Sequence, residues 1–99
     1  MSGTQISSDG LPPSRKKALF RAWHRGTKEM DLLLGTFADA HLATLSETDF
    51  AEFERLMDVP DRDLFAWIID REETPGNYDT PLFRQVKAFH TQPGGLVMR

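Results

Sequence analysis

Apolar residues in this chain recur at intervals of three and four in five short blocks, each bounded by proline, glycine or a capping residue, and no alternating run of strand length competes with them. That periodicity predicts an all-α fold, a compact bundle of five short helices. Ala18, Leu19, Ala22 and Trp23 give a first helix from about Arg15 to His24, with Ser14 as N-cap and Gly26 past its end, where glycine can take the left-handed conformation that closes a helix. Met30, Leu33, Leu34, Phe37 and His41 give a second from about Lys28 to His41, with Glu29 and Asp31 in its first turn against the positive end of the helix dipole. The third starts at Ser46 as N-cap, with Asp49 three residues on and Leu45 facing Phe50 as a hydrophobic staple; it carries Phe50, Phe53, Leu56 and Met57. Val59-Pro60 breaks the chain and Asp61 is placed to cap a fourth helix bearing Leu64, Phe65, Ile68 and Ile69. Thr80-Pro81 opens a fifth with Leu82, Phe83, Val86 and Phe89 or His90.

A length of 99 residues with 39% hydrophobic content suits one domain around one core, expected over residues 14–91. Residues 1–13, polar and closed by Pro12-Pro13, read as a disordered tail, and residues 92–99 as a flexible C-terminal tail. A chain this short buries only about two-thirds of its unfolded surface, so a large substrate cavity would consume the core, and function is expected on the surface. The absence of cysteine removes disulfides, thiolate zinc sites and thiol nucleophiles together. No apolar stretch reaches signal-peptide or membrane-spanning length, and the first basic residue is Arg15, unlike an arginine-rich presequence; a bacterial cytoplasm, without membrane insertion, is the simplest location.

Little in the string marks an active site. His24, His41 and His90 lack the i, i+4 spacing of a helical zinc site, so no metal is expected. The glycines form neither a phosphate-binding loop nor a dinucleotide fingerprint, no G-x-S-x-G elbow is present, and no carboxylate pair is singled out as acid and base. An independent enzyme is therefore the least favoured class. Charge is unevenly spread: six bases against Asp9 precede Glu29, whereas from Glu29 to Asp79 fourteen acids face three arginines, a local balance of −11. A basic end on an acidic body suits a protein partner with matching patches better than nucleic acid, whose phosphates the body would repel. The alternative is a small regulatory adaptor, antitoxin-like or nucleic-acid-associated, that uses the basic first helix. Trp23 and Trp67, on or beside apolar stripes, are expected in the core rather than at an exposed hot spot.

The turn Arg25-Gly26-Thr27-Lys28-Glu29 admits two readings. It is a helix hairpin with well-placed terminal charges, or a docking point where a residue without a side chain lets a partner's backbone approach while a guanidinium and a carboxylate orient it. Here R-G-x-x-E (Arg25, Gly26, Glu29), followed by M-D-L-L-L (including Asp31) and then D-x-D-L-F-x-W (Asp61, Asp63, Leu64, Phe65, Trp67), resembles the FAD assembly factors of succinate dehydrogenase, the SdhE family. The resemblance runs from about Arg15 to His90. It implies a five-helix bundle that is not an enzyme but a chaperone-like assembly factor. Its partner would be the flavoprotein subunit of succinate dehydrogenase, with that of fumarate reductase as a further client, on which it promotes covalent attachment of FAD to a histidine. FAD would belong to the partner, with no cofactor held tightly by the chain itself. Arg25, Gly26 and Glu29 would be the partner-binding surface, with Asp31, Asp61, Asp63 and Trp67 as supporting scaffold. Arg62 stands where some relatives have proline, which costs the helix start little.

Overall fold

In a computed structural model the chain is described over residues 10–91, with side chains through Phe89, and consists there of five α-helices without a strand. They are α1 (Pro13–Trp23), α2 (Lys28–His41), α3 (Glu47–Met57), α4 (Asp61–Ile68) and α5 (Pro81–Thr91). The expected tails over residues 1–9 and 92–99 lie outside the described residues, as do the side chain of His90 and the Gln92–Gly95 stop.

Three of the caps are local, and two of them follow the sequence. The Ser46 hydroxyl accepts from the backbone N–H of Asp49 at 3.1 Å, with Leu45 and Phe50 both buried, and the Thr80 hydroxyl accepts from Phe83 at 3.1 Å ahead of Pro81. Thr27, which the periodicity does not single out, caps α2 by accepting from Met30 at 3.3 Å.

Two helix starts differ from expectation. α1 begins at Pro13, so Ser14 is inside the helix and is not its cap. Pro12 precedes it with φ −58°, its carbonyl accepting from Arg15 and Lys16 at 3.0 Å, and Pro13 occupies the first helical position, where a missing N–H costs nothing. Leu11 is buried, so the end of the expected tail belongs to the fold. α4 begins at Asp61 itself, with Pro60 in the N-cap position and no side-chain cap, so Asp61 stands in the first turn and is not the cap.

The core centres on Phe37, Phe53, Phe83, Leu33, Leu34, Leu42, Leu64, Leu82 and Val86, all fully buried. At about 1.5–3 kcal/mol for each large side chain removed from water, this cluster supplies the main stabilisation. α1 packs against α2 and α3, and α5 closes the other side against α2 and α3. Phe37 lies 5.9 Å from Phe53 and meets Phe89 edge-on at 5.7 Å. Both tryptophans are buried; Trp67 lies 5.3 Å from the Tyr78 ring. Ile69 falls at the end of α4 and is exposed rather than part of the stripe.

α1 and α2 pack tightly at Gly35. Trp23 lies flat on it, its indole N–H donating to Asp39 Oδ1 at 3.3 Å, and a Cβ on residue 35 would stand only 2.3 Å from the Trp23 ring. Gly35→Ala would gain about 1 kcal/mol of helix propensity, but the overpacking of a pinned indole costs about 1–3 kcal/mol or more. The expected outcome is a net loss of stability, measured as a lower denaturation midpoint with an unchanged m-value.

Candidate functional site

The turn between α1 and α2 is held from below by its own arginine. Arg25 Nε donates to Asp61 Oδ1 at 2.8 Å, Nη1 to the Met57 carbonyl at 2.6 Å and Nη2 to the Val59 carbonyl at 2.5 Å. Its backbone N–H donates to Asp31 Oδ1 at 2.5 Å. The side chain is only 7% exposed and that of Asp61 25%. A helix C-terminus leaves carbonyls without partners and a partial negative charge, so a guanidinium is well suited to the end of α3. Arg21, four residues earlier, serves the same end, donating to the Met57 carbonyl at 3.1 Å and Asp58 Oδ1 at 2.7 Å.

This clasp brings the two sequence motifs together. Asp61, which the sequence places as a helix cap, instead receives Arg25 from 36 positions away. Asp31, expected to act on the α2 dipole, fixes the backbone of the turn. Trp67 is core, and Asp63 is half-buried in the first turn of α4. Gly26, Thr27, Lys28 and Glu29 are left exposed. Gly26 does not close α1, which ends on His24 with its N–H donating to the Arg21 carbonyl; it lies two residues on at φ +119°, a conformation that favours glycine, and a Cβ there would meet only Asp61 Oδ2, at 3.8 Å. Gly26 and Glu29 thus form an open strip, whereas Arg25 faces inward and organises it.

Two open grooves flank the strip and share Asp61. One, of about 430 Å³, is lined by Phe20, Arg21, His24, Met57 and Pro60 with Arg25 and Asp61. Phe20 is 62% exposed and stacks on His24 at 3.9 Å, while His24 Nδ1–H donates to the Phe20 carbonyl at 2.7 Å. The other, of about 470 Å³, is lined by Thr27, Glu29, Met30, Asp61, Arg62 and Phe65. Neither groove was legible in the sequence, although the i, i+4 spacing of Arg21 and Arg25 offered a clue to their shared target. Asp79, whose carboxyl the fork of Arg84 holds below its usual range, lies before α5 and outside both grooves.

The expected basic end is smaller than its composition. Arg15 is buried, donating to the Leu42 carbonyl at 2.9 Å and lying 4.8 Å over the Phe50 ring; Arg21 and Arg25 are in ion pairs. Lys16, Lys17 and Lys28 remain as exposed cations without ion pairs among the described residues. Three lysines on this stretch weaken the case for a nucleic-acid surface. Among the described residues no helix is long and apolar enough to cross a membrane.

Residues 16–90 match the model of a family described as the flavinator of succinate dehydrogenase. The FAD assembly factor SdhE of Acetobacter pasteurianus is 33% identical over 85 residues, covering 86% of this chain and 78% of the relative. Succinate dehydrogenase assembly factor 2, mitochondrial, of Dictyostelium discoideum is 37% identical over 73 residues, covering 74% of this chain and 52% of the relative. The protein of the same name from Cryptococcus neoformans is 33% identical over 86 residues, covering 86% and 49%. The chain thus spans about half the length of these mitochondrial relatives. No solved structure matches it.

Because the three acceptors of Arg25 diverge, an ammonium on a flexible stem cannot replace the guanidinium. Arg25→Lys is expected to destabilise the fold by about 2 kcal/mol, a fall of roughly 10 °C in Tm for a domain of this size, readable by circular dichroism. An unchanged Tm would mean that the clasp contributes little.

Proposed function

The chain belongs to the family of succinate dehydrogenase flavinators, and on that premise we propose that it binds the flavoprotein subunit of succinate dehydrogenase through the Gly26–Glu29 strip and promotes covalent attachment of FAD to it. The observation that carries this reading is the union of the two motifs by Arg25 and Asp61 beneath a strip that the fold leaves open. A rigid, exposed glycine turn is a surface that binds without first paying to be ordered, and preorganisation of that kind is where affinity is gained cheaply.

In this reading the chain acts by positioning. Attachment needs the flavin ring and the accepting histidine of the flavoprotein held in reactive geometry, and alignment alone can lower a barrier by several kcal/mol. The assembly factor stabilises the flavoprotein conformation in which they align, and its effect is limited to the difference in its affinity for the competing conformations. Moving a 1:99 equilibrium to 99:1 takes a differential of about 5.5 kcal/mol. Dissociation afterwards follows once the attached product no longer favours that conformation. The bond-making groups belong to the flavoprotein, so the chain is not itself the catalyst, and FAD is attached to the partner rather than retained here. The flavoprotein of fumarate reductase is a second client under the same logic, and the compartment is that in which the client folds, the cytoplasm in a bacterium.

Coexpression of the flavoprotein subunit with and without this chain, read by in-gel fluorescence of covalent flavin, tests the proposal. A several-fold rise in fluorescence is expected; equal fluorescence contradicts it. A pair of variants separates docking from folding. Gly26→Ala and Gly26→Leu share the strain of a side chain at positive φ, about 1–2 kcal/mol, so both should lose similar stability. Only the leucine projects bulk into the docking surface, and it is expected to lower covalent flavin well below the alanine level.

A further inference from the structure

The groove between the first turns of α2 and α4 has a lining that the fold does not need for itself. Met30 and Phe65 supply an apolar floor, Met30 buried and Phe65 packed on the core yet partly open to the groove. Glu29 and Arg62 stand exposed on its rim with opposite charges, and neither has an ion-pair partner among the described residues. Asp61 forms the wall shared with the neighbouring groove. Its Oδ1 accepts from Arg25, but its Oδ2 has no donor among the described residues and lies beside the bare Gly26, 3.8 Å from where a Cβ would stand. A carboxylate oxygen with open lone pairs beside a glycine is a ready acceptor for an approaching backbone N–H.

We propose that this groove receives an extended segment of the flavoprotein, which seats one apolar side chain on Met30 and Phe65, donates a backbone N–H to Asp61 Oδ2, and places a basic residue toward Glu29 and an acidic one toward Arg62. The inference rests on the function proposed above and specifies its recognition chemistry. Charge complementarity selects the occupant. Two charges of opposite sign lining one groove, without ion pairs among the described residues, orient a chain that carries their counterparts, and such pairs set register more than raw affinity. The partly open Phe65, beside the buried Met30, adds apolar contact, and the absence of a side chain at Gly26 allows the segment's backbone to come within hydrogen-bond reach of Asp61. Asp61 therefore has two duties, one oxygen holding the turn and the other reading the partner.

Asp61→Asn distinguishes these duties. Arg25 Nε–H still demands an acceptor, so the amide turns its carbonyl to Arg25 and presents its NH₂ toward Gly26, replacing an acceptor with a donor. Affinity of the purified full chain for the purified flavoprotein subunit, measured by calorimetry, is expected to fall at least ~tenfold, with a helical circular dichroism spectrum retained. Phe65→Ser is expected to weaken binding comparably by placing a hydroxyl on the floor. If Phe65→Ser fails to fold, Asp61→Asn decides. Wild-type affinity in a folded Asp61→Asn chain overturns the inference, as does a groove whose substitution alters only self-association of the chain in sedimentation. If the wild-type chain itself does not bind the flavoprotein, the proposed function fails, a result distinct from either variant's behaviour.

Discussion

The guanidinium of Arg25 is the point on which the arrangement of this small bundle depends. It closes the turn after α1, satisfies carbonyls at the end of α3 and holds the carboxylate at the start of α4, so three chain segments meet on one planar group. A lysine or a neutral donor lacks that divergence of N–H vectors. Because the group is removed from water, its bonds act in a low-dielectric setting and are correspondingly costly to break. The strip beside it is exposed without being loose: Gly26 supplies a bare backbone, and the clasp beneath fixes where that backbone sits.

The same interaction shows which parts of the molecule were legible in the sequence. The bounds of α2, Lys28 to His41, coincide with its apolar stripe, and Ser46 and Thr80 cap the helices they precede, because these effects act within one turn of chain. Asp61 was misplaced for the complementary reason. Pro60 takes the N-cap position, so Asp61 falls inside the first turn of α4, where its carboxylate receives a guanidinium from 36 residues away that no short-range spacing encodes. Gly35 reads as a weak point inside a helix until Trp23 is found resting on it. Ser14 loses its capping place to the proline pair before it, whose fixed φ starts the helix at Pro13. Family resemblance located the turn and the second motif, whereas their contact, and the inward orientation of Arg25, came only from the fold.

Charge in this chain is likewise spent on architecture before it is available for recognition. Arg15 closes the end of α2, Arg21 and Arg25 close the end of α3, and what composition suggests as a basic face is reduced to lysines. The charges left without ion pairs around the strip among the described residues, Lys28, Glu29 and Arg62, are few and of mixed sign, a pattern that suits orientation of a protein surface rather than attraction of a polyanion. The large exposed aromatic of α1, Phe20, stacked on His24 in the adjoining groove, widens the same face without adding net charge.

The most direct measurement of where the partner sits is amide hydrogen exchange of this chain, free and in complex with the flavoprotein subunit. The N–H groups of Lys28 and Glu29, in the first turn of α2, have no carbonyl one turn earlier within the helix to protect them. In the complex, slowed exchange is expected at residues 26–29 and through the start of α4. Protection confined to the separate groove between α2 and α5, lined by His41, Gln85, Ala88 and Phe89, with residues 26–29 exchanging as in the free chain, would contradict the account.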